Sequence, residues 1–321
     1  MKMFTKIALV SSMAISANAM AMQAMDDASL SATTGQDGIN IGIGISKVEI
    51  EKLFIHDNDG LTGGSTAGKA GAIVIKGNGK TGDINEKLGV VVKANYDDAG
   101  KYLLATRNLA DLRIDSDAGD KAAGGAFINI AADVSGLDIN IGEIGVTGSN
   151  AVADPATATS IRRGGDDTNY NAILSGLSLK TGPMSANIQL GAAPQGAMIK
   201  LDAKMLGGLE IKNLGILDNS TKTATRAAGE IFVDSIKVAD ANARDLSIDQ
   251  KISVIGKEGT NNGYIRMVSN SGPIDNYVKG VHLGSRDAAS IGDVEIQGLQ
   301  TYYSPAMGQY NQGSVITISG R

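Results

Sequence analysis

Cysteine and tryptophan are both absent from the 321 residues of this chain. Without cysteine, the chain cannot form a disulfide, a thiolate metal site or a cysteine nucleophile, and no cysteine can carry a lipid. Aromatic residues are scarce as well, with 4 Phe and 8 Tyr, and there are only 2 His. These absences leave few side chains for metal binding, for nucleophilic catalysis or for the aromatic platforms on which many sugar-binding sites depend. We therefore predict no cofactor and no enzymatic activity.

Charge and proline content argue against further classes. The formal net charge is −5, and the basic pair Arg162-Arg163 is followed at once by two aspartates, so the basic footprint of a nucleic-acid-binding protein is missing. Proline is limited to 5 residues, too few for a proline-rich disordered chain, and the 42 glycines follow no collagen-like period. Beyond residue 19, no apolar run approaches the ~18 residues of a membrane-spanning helix. We expect neither a nucleic-acid partner nor a transmembrane helix.

Residues 1–19 have the pattern of a secretory signal peptide. Two lysines precede an apolar run over residues 7–15, and Ala17-Asn18-Ala19 is a small-residue cleavage site. We expect a signal helix that is cleaved between Ala19 and Met20, and a mature chain exported to the periplasm, the outer-membrane surface or a fimbrium. An exported chain without disulfides has to be held together by packing and backbone pairing, which fits a Gram-negative cell envelope.

Ile, Val and Leu recur at an unusual spacing. In residues 43–55 the apolar residues stand two, three, two, three and two positions apart, and the two-three-two rhythm returns in residues 139–146, 209–216 and 231–238. A strand alternates faces with a period of two, whereas a helix mixes spacings of three and four. Glycines inside several of these stretches would each cost a helix ~1 kcal/mol. The rhythm therefore predicts short strands with an irregularity in the middle.

The odd spacing has two structural explanations. A β-bulge can absorb the extra residue and keep the apolar side chains on one face. Alternatively, the strand stays regular and its two halves bury opposite faces, as when a strand crosses from one sheet to another at a corner. Three of four gap doublets contain Gly or Asn, which tolerate the left-handed backbone of some bulges, so we favour bulges; the doublets are Gly142-Glu143, Lys212-Asn213, Asp234-Ser235 and Gln297-Gly298.

These patterns predict an all-β fold of Gly-rich antiparallel sheets with bent, bulged strands, arranged as an extended β-sandwich or an open sheet. Residues 20–38 form an acidic, turn-rich segment after the signal, and residues 39–321 form the β-rich domain. Residues 149–171 contain few large apolar side chains, and we predict an exposed loop there that is a candidate subdivision of the domain.

Motifs for chemistry are weak. Asp57 and Asp59 resemble part of a calcium loop, but Ile55 stands where an EF-hand needs its first ligand, so they are weak calcium candidates beside the simpler interpretation of a polar turn. Residues 63–70 nearly match a phosphate-binding loop, yet Ala70 replaces the required Ser or Thr. No nucleophile motif surrounds either His. The sequence therefore assigns no catalytic or cofactor-binding residue.

A stretch near the expected mature N-terminus resembles a known family. Residues 25–38 read Met-Asp-Asp-x-x-Leu-Ser-x-x-Thr-Gly-Gln-Asp-Gly and are similar to the start of mature FilA-type proteins, and the likeness continues through residues 39–55. FilA-type proteins are exported proteins of Acinetobacter and related Gram-negative bacteria described as pilus assembly proteins. Apart from the resemblance, we predict that this motif is a recognition or docking segment, with Asp26, Asp27, Leu30, Gly35, Gln36 and Gly38 as its residues. The alternative is a helical turn that merely leads into the sheet.

The resemblance implies a structural or assembly component of a pilus-like (fimbrial) surface system. The known pilin types are poor matches, because the chain lacks the long hydrophobic N-terminal helix of type IV pilins and the cysteine pair of most chaperone–usher pilins. We expect strand-mediated association with other envelope or pilus-system proteins, or with itself, through edge strands. The candidate edge residues are Ile39, Ile41, Ile43, Val315, Ile316 and Ile318. The alternatives are a surface adhesin and a protein that binds or degrades envelope polysaccharide.

Overall fold

The structure is a computed structural model that describes residues 38–61, 69–154, 156–256 and 263–320. The described residues form 22 β-strands, one helical turn, α1 (Asp97–Gly100), and two 3₁₀ turns (Lys121–Ala123 and Asn219–Thr221). Every strand pair with a defined register is antiparallel. The predicted all-β fold with antiparallel sheets is confirmed.

The strands follow one another as an antiparallel meander of eight long runs, each broken into two or three strands. The first four runs have three strands each: run 1 is β1 (Ile39–Ile43), β2 (Lys47–Ile50) and β3 (Leu53–His56); run 2 is β4 (Gly71–Lys76), β5 (Val90–Ala94) and β6 (Ala110–Asp117); run 3 is β7 (Phe127–Val134), β8 (Leu137–Ile141) and β9 (Glu143–Ser149); run 4 is β10 (Gly165–Leu174), β11 (Leu177–Lys180) and β12 (Met184–Gly191).

The last four runs each contribute one long strand to either sheet. Run 5 is β13 (Ile199–Met205) and β14 (Leu209–Asp218); run 6 is β15 (Gly229–Asp240) and β16 (Leu246–Ile255); run 7 is β17 (Tyr264–Ser269) and β18 (Ile274–Gly284); run 8 is β19 (Gly292–Leu299) and β22 (Ser314–Ser319). A small hairpin, β20 (Tyr302–Tyr303) and β21 (Asn311–Gln312), is inserted inside run 8.

Every run crosses from one sheet to the other. The eight-stranded sheet has the order β1-β6-β7-β12-β13-β16-β17-β22, which takes one strand from each run in chain order. The twelve-stranded sheet repeats this order with β2-β5-β8-β11-β14-β15-β18-β19 and adds β3, β4, β9 and β10 beside β14. The spacing gaps at residues 142–143, 212–213, 234–235 and 297–298 lie within the twelve-stranded sheet and not at these crossings.

Both predicted devices for the odd spacing occur. At Gln297-Gly298 the pairing of β18 with β19 shifts register, as a bulge requires, and Gly298 has φ 64°. In contrast, β14 and β15 stay in register through the gap, since Ile211 pairs with Ile236 and Leu214 pairs with Val233. Asn213 in the gap of β14 has φ 57°, whereas no residue of β15 has positive φ. Its apolar side chains on either side of the gap therefore project from opposite faces.

A pair of glycines allows neighbouring runs to approach each other at the interruption in runs 2 and 3. Gly142 lies between β8 and β9, and its N–H donates to the carbonyl of Gly89 at 2.8 Å. A Cβ on Gly142 would lie 2.3 Å from the carbonyl oxygen of Lys76, and one on Gly89 would lie 2.5 Å from that of Ile75. Both obstacles are backbone atoms, so a side chain at either position requires the strands to move apart.

The described residues bury few large apolar side chains. Ten hydrophobic residues are buried, five of them alanine, and Val91 is the only one that is both large and fully buried. In contrast, 31 large hydrophobic residues are exposed. Many apolar side chains of the described residues therefore remain in contact with solvent.

Residues 149–171 include the connection between β9 and β10, two directly paired neighbours. The predicted loop is too long at its C-terminal end, because β10 begins at Gly165 and pairs with β9 across two register shifts. The described residues from Asn40 onward form one compact unit, which contains this loop. In the described part of the chain, no helix is long and apolar enough to cross a membrane.

Candidate interaction edges and transverse rows

The first and last runs provide the edge strands. Within the described residues, β1 and β22 end the eight-stranded sheet, and β2, β3 and β19 have a hydrogen-bonded neighbour on one side only. The structure therefore places Ile39, Ile41 and Ile43 on one edge, and Val315, Ile316 and Ile318 on the opposite edge. An edge strand presents unpaired N–H and C=O groups that can accept a further strand. Their role in association remains a prediction.

Directly paired apolar residues form a row across all eight runs of the twelve-stranded sheet. Each residue pairs with the next, so all eight side chains project from the same face. We call this set the apolar row: Val48, Val92, Ile139, Leu179, Ile211, Ile236, Val278 and Val294. The interior members are half-buried by their neighbours, whereas Val48 and Val294 at the two edges are 39% and 48% exposed.

The residues beside the apolar row form a charged row on the opposite face. Its members pair in the same order: Lys47, Lys93, Asp138, Lys180, Glu210, Lys237, Tyr277 and Glu295. Lys93 and Asp138 form an ion pair of 3.3 Å inside the row. The two ends carry opposite charges, with Lys47 on β2 and Glu295 on β19. Lys47 is itself ion-paired with Glu49 on the same strand.

Two further apolar rows cross the molecule. In the eight-stranded sheet the row consists of Ile114, Ile130, Ile188, Ile199, Ile252, Met267 and Ile316. In the region of β3 and β4 it consists of Leu53, Ile75, Ile144, Leu174, Ile216, Ile231 and Leu283. Apolar side chains in line across a sheet stabilise neighbouring strand pairs. They also leave an apolar side chain at the edges, such as Ile316 on β22.

A buried ion pair fixes the turn between runs 7 and 8. Glu230 on β15 is buried and accepts hydrogen bonds from Arg286 at 2.7 Å and from the Ser175 hydroxyl at 2.7 Å. Burial alone would raise the pKa of the Glu230 carboxyl, but hydrogen bonds from Arg286 and Ser175 outweigh burial and lower that pKa. The cluster joins runs 4 and 6 to the residues between runs 7 and 8, and it was not foreseen from the sequence.

The two histidines make structural contacts. Nδ1 of His56 lies 2.9 Å from the hydroxyl of Ser149, which itself donates to the carbonyl of Gly71 at 2.6 Å. Because the Ser149 proton is committed to that carbonyl, His56 is not placed to activate Ser149 as a nucleophile. Partial burial and the Arg163 guanidinium lower the pKa of His56. Nδ1 of His282 lies 2.6 Å from the carbonyl oxygen of Ala288, which ties β18 to the turn after it.

Carboxylates and a tyrosine do meet in one small cavity, as a polysaccharide-binding protein would require. The cavity has a volume of about 80 Å³ and is lined in part by Asp97, Glu210 and Tyr102. Asp97, however, is ion-paired with Lys180, and Glu210 is ion-paired with Lys212 at 3.1 Å. Each carboxylate therefore already has a cationic partner, which favours an ion-pair network over a pair of catalytic acids.

Asp57 and Asp59 lie in the turn after β3. The N–H of Asp59 donates to the Asp57 carboxylate at 3.4 Å, and hydrogen bonding with Asp59 is the main cause that lowers the pKa of Asp57. Within the described residues, no group of three or more candidate ligands is close enough to hold a metal ion. The calcium assignment remains untested.

Several sequence-based assignments lie outside the described residues. They are the cleavage site at Ala19 and Met20, the docking residues Asp26, Asp27, Leu30, Gly35 and Gln36, and most of the phosphate-loop-like stretch 63–70. Gly38 is described, has φ 113° and comes directly before β1.

Sequence reasoning identified the edge segments but missed the transverse rows and the Glu230–Arg286 pair. The signal for the rows was present, because the same spacing recurs in runs 3, 5 and 6. Only the pairing register shows that these recurrences lie side by side.

Comparisons with known proteins give one match. A model described as a family of unknown function (DUF6160) matches residues 1–141, which end with the last residue of β8. No curated protein and no solved structure matches the chain.

Proposed function

We propose that this protein is an exported, non-enzymatic component of a pilus-like surface system in a Gram-negative cell envelope. It acts as a structural or assembly component by strand-mediated association with other envelope or pilus-system proteins. The proposal draws on the signal-peptide pattern and the FilA resemblance in the sequence, and on the edges of the folded domain.

The proposal rests mainly on β22, an exposed edge strand without charged residues. Ile316 and Ile318 are each 53% exposed on a strand that pairs only with β17 among the described residues. Backbone groups on its outer side can bond to an added strand, and alternate side chains can select that strand. Soluble proteins usually protect such an edge with charge, proline or a covering segment. The β22 sequence SVITIS contains no charged residue and no proline.

A second candidate is a surface adhesin, and one observation favours it. Tyr302 and Tyr310 are exposed in and beside the β20–β21 hairpin, which interrupts run 8. Exposed tyrosines suit contact with a protein or glycan ligand. An adhesin would bind such a ligand as a single chain, without a strand partner at β22.

The test introduces positive charges on the edge strand β22, so that a further strand cannot pair with it. The double variant I316K/I318K is expected to lose the envelope complexes that contain the unmodified protein, because lysines on an edge strand oppose strand addition. The matched control is I161K, which makes the same chemical change at a fully exposed isoleucine in the loop before β10.

The measurement is the sedimentation of the protein in native envelope extracts. The unmodified protein and I161K are expected in complexes well above the 32.9 kDa of one chain, and I316K/I318K as a single chain. A melting curve would verify that the double variant is folded. Complexes of unchanged size in a folded I316K/I318K variant would contradict the proposal.

A further inference from the structure

We propose that copies of this chain associate head to tail, with run 8 of one copy pairing antiparallel with run 1 of the next. This inference rests on the proposed strand-mediated function, and it specifies a second copy of the chain as the partner.

Strand direction supports this arrangement. The chain reverses direction between consecutive runs, so run 1 and run 8 point in opposite directions. A second copy in the same orientation therefore presents its run 1 antiparallel to run 8 of the first copy. β1 and β22 end the same sheet, and β2 and β19 both lie at the ends of the other. Pairing run 8 with run 1 of the next copy would therefore add a strand to the same end of both sheets.

One pairing register between β19 of one copy and β2 of the next brings complementary side chains together. Placing Val294 of one copy opposite Val48 of the next continues the apolar row between copies. The same register brings Glu295 opposite Lys47, the two ends of the charged row. Opposite charges that face each other across strands are favourable. All eight residues of β19 are exposed, so the partner would find the strand accessible.

One contact in this register brings like charges together. Asp293 would lie opposite Glu49 of the next copy. The Asp293 carboxylate is already bound by the Tyr277 hydroxyl at 2.7 Å and by the Gly280 N–H at 2.8 Å. These bonds stabilise its charge within its own chain. Pairing run 8 with run 8 of another copy is less favourable. Asp293 of each copy would then lie opposite Glu295 of the other, and like charges that face each other are destabilising.

The absence of cysteine from the sequence allows a clean crosslinking test. We would mix purified V48C with purified V294C under mild oxidation. Paired residues in antiparallel strands have Cβ atoms roughly 4.5–5.5 Å apart, close enough for a disulfide after small adjustments. The mixture is expected to form a disulfide-linked dimer of one V48C and one V294C chain, and each variant alone is expected to stay uncrosslinked.

Charge reversal tests the register. K47E in the V48C chain, or E295K in the V294C chain, is expected to lower the yield of the mixed dimer about two- to fivefold, the usual range for an exposed pair. Combining both reversals restores the yield, because the pair is again opposite in charge.

Two results would overturn the inference. One is a V48C dimer that forms without V294C, which shows that run 1 pairs with itself. The other is no mixed dimer from folded variants. If no mixed dimer forms while I316K/I318K still loses the envelope complexes, the proposed function stands and the partner is a different protein. If neither effect is seen, both proposals fail.

Discussion

Replacing Arg286 by alanine is expected to lower the free energy of unfolding by about 3 kcal/mol. The substitution leaves Glu230 buried with a negative charge and only the Ser175 hydroxyl as a side-chain partner. It also removes the bond from the Arg286 guanidinium to Ser175 at 2.7 Å. Denaturant unfolding at neutral pH would measure the loss.

The matched control is R113A. Arg113 forms a pair of 3.0 Å with Asp133, but both side chains are exposed, so its removal is expected to cost less than about 1 kcal/mol. Equal effects of R286A and R113A would contradict the assignment of Glu230–Arg286 as a buried, stabilising pair.

The same pair predicts a dependence on pH. The folded-state pKa of Glu230 is lowered from 4.5, so its contribution to stability is complete above that value. It is lost as the pH falls through the lowered pKa, because the unfolded chain then binds a proton more readily. In R286A this part of the acid sensitivity should disappear, which distinguishes loss of the pair from a general packing defect.

Replacing Gly142 by alanine is expected to cost about 1–3 kcal/mol. The new Cβ would lie 2.3 Å from the Lys76 carbonyl oxygen and 3.1 Å from that of Leu88. Both neighbours are backbone, so no side chain can turn away, and runs 2 and 3 must separate where Gly142 bonds to Gly89. Denaturant unfolding measures this cost as well.

Gly272 provides the control for that substitution. A Cβ at Gly272 meets nothing within 4 Å, and its backbone φ is not positive. G272A is therefore expected to leave stability within about 0.5 kcal/mol of the unmodified protein. A G142A variant as stable as G272A would show that the two runs do not need this close approach.

The spacing of apolar residues predicted that these segments are β-strands, but it did not predict how the strands pair. The rhythm in residues 139–146 correctly indicated two short strands around an interruption, which are β8 and β9. The same spacing could not show whether the interruption is a bulge or a change of face. That depends on the partner strand, and β14 with β15 keeps its register where β18 with β19 does not.

The edges were predictable because the fold is a meander. In such a sheet the first and last runs have only one neighbour each, so the terminal segments become edges without any special motif. The Glu230–Arg286 pair was not predictable, because its residues are 56 positions apart and meet only through the pairing of β15 with β18. Residues 165–171 are polar and were assigned to a loop, yet they pair with β9 as part of β10.

Hydrogen exchange of β22 tests strand-mediated association most directly. Complexes isolated from native envelopes would be compared with the I316K/I318K single chain. In the complex, the outward N–H groups of residues 314–319 should exchange at least about tenfold more slowly than in the single chain. They would be bonded to an added strand. The interior strand β16 should exchange alike in both samples. Equal exchange of β22 in both would contradict the account.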